Sequence, residues 1–363
     1  MFYLSSRDCL HARLKMPSER QIAQRYERYD ISQSPLSQRP TQRDVAALVS
    51  ETRNDLRRLV NYKEEFIVRR QKETGKKKKV RDLAYPEGRL RAVHERLKFH
   101  LNKIKQPNYL FSPRKNLSQR HNAALHLDQD QYLTLDLKKF YPSTTDHMVR
   151  RWFRDTLGMP VDVAGLLTHL CTVDGKVSFG SPLTPVLSSL IHRAMFDKIA
   201  DICEIRGLRF SVWVDDLTIS GRFVPGDVVR QIRDVIRSFG LKSHDIRFRH
   251  GNRPVFITGI GVVGRNLVTP NALNLKIKDC WTEYHRAVTD GERDVLCQRL
   301  LSHLGTLRYV AGSSSDFGRK AADQMNSLRQ QRQVRYQAAT ERNRILRAER
   351  AKIPVDPLAT LPF

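Results

Sequence analysis

Along QYLTLDLKKFY the apolar residues Leu133, Leu135 and Leu137 alternate with Thr134 and Asp136. That period-two pattern predicts a strand with one buried face. LRFSVWVDDLTISG carries apolar residues on both sides of Asp215 and Asp216 and reads as a hairpin. PVFITGIGVVG is expected as one further strand, and FIVRRQKETGKKKKVRDLAYP as a hairpin with a cationic tip. Helical spacing governs most of the rest. It appears in TQRDVAALVSETRNDLRRLV, after a break marked by Pro35 and Pro40, and over 87–105, where Leu90, Val93, Leu97 and Leu101 form one stripe. Further helices are expected over 146–170 and 185–205, in DVVRQIRDVIRSFG, and from Asp279 onward. Strands interleaved with helices around a small sheet predict an α+β fold with helical ends.

Composition narrows the partner. The 363 residues carry 64 Lys and Arg against 38 Asp and Glu, a formal charge of +26. A surplus of that size points to a polyanion, and nucleic acid is the usual one. Lys76–Lys79 and the stretch from Arg319 to Lys352 are its densest parts. The five cysteines, Cys9, Cys171, Cys203, Cys280 and Cys297, form no CxxC pair. Their odd, scattered set disfavours a zinc site or a disulfide scaffold and fits a reducing cytoplasm. No signal-peptide pattern opens the chain, and no apolar run approaches the ~18 residues of a membrane span, so no membrane association is expected.

The chemistry concentrates in three carboxylates. Asp136 lies near the end of one strand, and Asp215 and Asp216 sit at the turn of the hairpin. Strand geometry lets Asp136 and Asp215 converge while Asp216 flanks them. Buried carboxylates repel each other and resist ionisation unless a cation compensates. Two Mg²⁺ ions would do so and would also serve in-line phosphoryl transfer. By itself the pair is equally compatible with a turn-forming Asp-Asp beside an unrelated strand-end Asp.

Five strings resolve that choice by resemblance. WVDD resembles the YxDD box of reverse transcriptases, DLKKFYPS their first catalytic motif, and FGSPLTPVLSSL the segment written QGxPxSPxLSNL. NAALH, Asn122 to His126, is similar to the NAxxH signature of retron reverse transcriptases, and ITG, Ile257 to Gly259, to their VTG signature. Order and spacing agree from about residue 60 to 310. The resemblance implies a right-hand polymerase. A helical N-terminal extension (1–60) would precede fingers (61–130), a palm (131–265, with a fingers insertion around 146–180), and a thumb with basic C-terminal helices (266–363). It implies Asp136, Asp215 and Asp216 as catalytic metal ligands, with the Leu137 carbonyl as a further ligand. Arg81, Phe140, Tyr141, Gly180, Ser181 and Pro182 would meet the incoming nucleotide, Tyr141 as the ring that excludes a ribose 2′-hydroxyl. Trp213 and Val214 would lie at the primer terminus, and Asn122, His126, Ile257, Thr258 and Gly259 would recognise RNA.

Partners follow from the same resemblance: dNTPs, a structured non-coding RNA serving as template and primer, its cDNA product, and an accessory effector protein in anti-phage defence. Other defence-associated or group II-like reverse transcriptases, and a catalytically silent RNA-binding scaffold, remain as alternatives. The chain departs from the pattern at Trp213 (for Tyr), Phe179 (for Gln) and Ser189 (for Asn). Where a later palm lysine is usual, LKSHDIRF offers His244 or Asp245, with Lys242 and Arg247 adjacent.

Overall fold

The computed structural model describes residues 28–74 and 79–351 of a mixed α and β protein. The chain divides into two compact units between Asn266 and Leu267.

The first unit opens on two short helices, Gln42–Leu48 and Arg53–Asn61. The helical spacing over this stretch is real but interrupted at Ser50, whose φ is +54°. Each helix starts at a threonine, Thr41 or Thr52, that accepts a backbone N–H from an aspartate three residues on, while that carboxylate returns to the cap. Such boxes satisfy the orphan donors of a first turn. Strands β1 (Ile67–Thr74) and β2 (Lys79–Pro86) pair antiparallel. The expected cationic tip at Lys76–Lys78, and the side chains of Lys79 and Arg81, lie outside the described residues. Helix Gly88–Asn102 buries Leu90, Val93, Leu97 and Leu101, the stripe seen in the sequence. It shares an apolar cluster with helices Val161–Cys171 and Thr184–Ile191. The helix expected over 146–170 is broken, because Gly158 (φ +65°) and Pro160 separate Asp146–Arg151 and its π turn from Val161–Cys171. Two-residue strands β5 (Thr172–Val173) and β6 (Lys176–Val177) close a small turn.

A five-stranded sheet organises the rest of this unit. Its strands β3 (Leu110–Ser112), β4 (Gln131–Leu137), β7 (Arg209–Trp213), β8 (Asp216–Gly221) and β9 (Ser243–His250) lie in the order β3-β7-β8-β4-β9. Only β3 and β7 run parallel. Directly paired residues share a face. Register pairs Leu133 with Ile219, Leu135 with Leu217, Phe210 with Ile219 and Val212 with Leu217. These side chains are buried against helices Arg193–Glu204 and Gly226–Ser238. The opposite face carries Thr134, Asp136, Asp216, Thr218, Ser220, Ser211 and Trp213. Alternation in the sequence thus becomes an apolar back and a polar front.

PVFITGIGVVG is not one strand. It folds as the hairpin β10 (Val255–Ile257) and β11 (Ile260–Val263), turning at Thr258 (φ +47°) and Gly259 (φ +85°). Two successive residues with positive φ make the tight turn whose twist suits a hairpin.

In the second unit, helices Asn271–Arg286, Asp290–Ala311 and Asp316–Ala351 enclose Leu296, Cys297, Leu300, Leu304 and Leu328. The first of them begins eight residues before the expected Asp279. No helix among the described residues is long and apolar enough to cross a membrane.

Three histidines of the first unit, His94, His126 and His192, are almost wholly buried. Burial pushes their pKa values down to about 4, about 3 and about 4. A depressed folded pKa favours the neutral ring, so this contribution is complete above the unfolded value near 6.5 and declines as pH falls toward 4. His192, whose Nε2 lies 3.0 Å from Thr144 Oγ1, offers the cleanest test. A His192→Gln variant should show a flatter dependence of thermal midpoint on pH between ~6.5 and 4 than the parent. Parallel curves would remove the assignment.

Candidate active site

The hairpin β7–β8 turns through Val214 and Asp215, with Trp213 paired to Asp216. Val214 has φ +60°, a strained conformation for a β-branched residue and one that recurs at functional turns. The turn is fastened to β4, because the Leu137 N–H donates to the Asp215 carbonyl at 2.9 Å. Register then sets Asp136 directly opposite Asp216 on the polar face. All three carboxylates act on one another. Burial, then Asp215, then Asp216 push the Asp136 carboxyl up to about 7, with His244 acting in the opposite sense. Burial and then Asp215 push Asp216 up to about 6. The fold therefore holds negative groups together at an energetic cost.

His244 Nδ1 lies 3.0 Å from Asp136 Oδ2 and 3.3 Å from the Asp136 carbonyl oxygen. Between His244 and Asp245, the two residues the sequence left open, the structure puts His244 on the carboxylate. Asp245, with φ +49°, lies at a bulge in β9.

Among the described residues no three His, Cys, Asp or Glu side chains are disposed to hold a metal ion by themselves. Magnesium usually takes one or two carboxylates and completes its shell with water and substrate phosphates. Opposed aspartates with raised pKa values, a third in the adjoining turn and a nearby Leu137 carbonyl are a donor set of that kind.

Tyr141 follows in the one-turn helix Phe140–Ser143. Its ring packs edge-on against Phe179 at 5.4 Å, and burial followed by Asp215 raises its hydroxyl pKa. Phe179, a departure from the family pattern, thus braces the ring expected to select the sugar. Gly180, at φ +90°, presses on β2: a Cβ there would lie 3.0 Å from Tyr85 Cβ. Only glycine fits that approach. Pro182 is partly exposed beside it.

Other expected contacts need correction. Phe140 is 3 % exposed and packs on His192 and Phe196, so its ring faces the core. Ser181 is buried with its hydroxyl 2.7 Å from His94 Nδ1. The Leu137 side chain is buried in the core, which leaves the expectation of its backbone carbonyl as a ligand unchanged. Trp213 and Val214 are partly exposed beside the carboxylates.

The RNA-recognition residues divide similarly. His126 is 0 % exposed and sits between Ser220 Oγ at 2.7 Å and Ser211 Oγ at 2.8 Å. It ties helix Gln119–Leu125 to the polar face, and with both nitrogens occupied its side chain cannot touch RNA. Ile257 is 1 % exposed, a core residue. Asn122 is buried as well and donates from Nδ2 to Thr258 Oγ1 at 3.5 Å. The NAxxH and ITG strings, 136 positions apart at that bond, therefore form one unit. Thr258 and Gly259 at its tip remain accessible, and the space beside Gly259 is open.

Comparison with known proteins agrees with the motifs. No protein-family model matches the chain. The retron Se72 reverse transcriptase of Salmonella heidelberg (strain 579083-10) is 30% identical over 149 residues, covering 41% of this chain and 39% of that protein. The retron Ec86 enzyme of Escherichia coli is 29% identical over 149 residues, 41% of this chain and 46% of its own. The retron Ec83 enzyme, also of Escherichia coli, is 24% identical over 209 residues, 51% of this chain and 65% of its own. The chain thus matches less than half the length of the first two relatives and under two thirds of the last. By motif and by alignment together, the chain is similar to retron-type reverse transcriptases.

Proposed function

We propose that this protein is an RNA-directed DNA polymerase that copies its own structured non-coding RNA into a short cDNA. The observation that carries the proposal is the group of Asp136 and Asp216, paired on the polar face of a sheet whose other face is apolar, with Asp215 acting on both from the adjoining turn. In this reading the five-stranded sheet is the palm, the β1–β2 hairpin and the neighbouring helices are fingers, and the three-helix unit is the thumb. Two Mg²⁺ ions held by the carboxylates and the Leu137 carbonyl would neutralise the triphosphate and activate the attacking hydroxyl. The chain's own groups do the positioning. Tyr141, braced by Phe179, is the ring that would bear on the sugar of a dNTP, and Trp213, paired with Asp216, would offer a ring to the primer terminus.

The family resemblance would further imply an RNA template, priming from an RNA 2′-hydroxyl, and a cytoplasmic anti-phage role with an accessory effector. A 2′-hydroxyl primer must be held in line with the α-phosphate, so its RNA needs a fixed orientation. The accessible Thr258–Gly259 tip, joined to Asn122, is the surface that would supply it.

This is tested by comparing two templates. Gly259→Val, and Asn122→Ala acting through Thr258, should lower synthesis on the RNA that copurifies with the protein by about tenfold or more, ~1.4 kcal/mol. Extension of a DNA primer annealed to a generic template should fall much less. The parent's product on its own RNA should also shorten by a discrete amount after ribonuclease or debranching treatment. Equal losses on both templates, or an unbranched product, would leave a general reverse transcriptase of another kind.

A further inference from the structure

Strand β9 forms an open edge of the sheet, and its sequence SHDIRFRH alternates charged and apolar residues. On a regular ladder, pairing His244 with Asp136 would bring Ile246 and Phe248 onto the same face as the catalytic carboxylates. The observed register is different. Asp136 pairs with His244, but Thr134 pairs with Arg247 and Tyr132 with Arg249. One extra residue is accommodated where Asp245 adopts φ +49°. A bulge of this kind switches every later side chain to the other face. Phe248, paired with Leu133, goes to the apolar side, while Arg247 and Arg249 come to the polar side in line with His244 and Asp136. Both arginines are exposed, and among the described residues neither has a carboxylate partner. Strand rise puts them at steps of about 7 Å leading away from the carboxylates.

Resting on the polymerase reading above, we infer that Arg247 and Arg249 form a phosphate track that holds the nucleic-acid backbone leading out of the active site. Charge complementarity and the exposed run of β9 that starts beside Asp136 fix the occupant, the phosphate backbone of a hybrid whose reacting end lies at Asp136. Guanidinium groups suit phosphate by their planar pair of donors, and such contacts position a strand without reading its sequence. The device is the bulge, which exchanges two apolar side chains for two cations at the edge of the reaction centre.

The test measures binding of a DNA primer annealed to an RNA template across a salt series, by fluorescence anisotropy. Arg247→Gln/Arg249→Gln should reduce the slope of log affinity against log salt by about 2, one unit per lost phosphate contact. Arg247→Lys/Arg249→Lys, which keeps the charge, should retain the slope. Arg230→Gln/Arg233→Gln removes equal charge from the helix behind the apolar face and should leave it unchanged. A parental slope in the Arg247/Arg249 glutamine variant, or an equal fall in the Arg230/Arg233 control, would overturn the track. The arginines would then only guard an exposed sheet edge. Primer extension by the parent separates the two failures. If the parent extends the primer yet the slopes match, the track alone falls; if the parent extends nothing with Mg²⁺ and dNTPs, the polymerase reading falls first.

Discussion

Replacing Asp215 by asparagine is expected to abolish DNA synthesis in Mg²⁺, with a loss of about a thousandfold or more, while RNA binding stays near the parental level. Asp215 occupies the turn that β4 fastens through the Leu137 N–H, so the amide should keep the geometry and lose only the charge. It also raises the pKa values of both Asp136 and Asp216. Removing it relieves that repulsion, so the variant should melt no lower than the parent in metal-free buffer. Activity lost without a loss of stability is something that misfolding cannot imitate. Near-parental primer extension in Mg²⁺ by the variant would sink the assignment.

The second large effect is expected at Tyr141. Tyr141→Ala should shift the preference for dNTP over rNTP by roughly 10- to 100-fold, the usual range for one added or missing group in a pocket. The ring is held by Phe179 and Phe140, at centroid distances of 5.4 Å and 5.6 Å, so it cannot easily yield to a ribose hydroxyl. Tyr141→Phe keeps the ring and should keep the preference, which separates steric exclusion from any part played by the hydroxyl. An unchanged ratio of dNTP to rNTP incorporation in the alanine variant would make Tyr141 a packing residue only.

Three of the corrected residues show where motif reading stops. His126, Ile257 and Phe140 lie inside strings that resemble functional signatures, yet each is buried. Membership in a motif says that a segment is used, not which of its side chains points outward. His126 shows the difference clearly. Its bonds to Ser211 and Ser220 couple the NAxxH helix to two strands far away in the chain. No local pattern announces hydroxyls at those distances.

What the sequence determined by itself was the content of each segment. Leu133, Leu135 and Leu137 against Thr134 and Asp136 required a two-faced strand, and Leu90, Val93, Leu97 and Leu101 required a helix packed on one side. The interruption at Asp215–Asp216 required a hairpin turn, which the structure sets one residue earlier, at Val214–Asp215, with Asp216 already in β8. Periodicity sufficed because both periods are set by the local backbone. Tertiary structure alone decided which segments meet and in what register. It placed Asp216 opposite Asp136, seated His244 rather than Asp245 on the carboxylate, folded ITG into a turn, and joined Asn122 to Thr258. It also inserted the bulge that sends Arg247 and Arg249 to the carboxylate face. Register is a long-range choice, settled by burying the apolar face of one strand with that of another. A one-residue slip in it changes no local pattern but reverses every side chain beyond it.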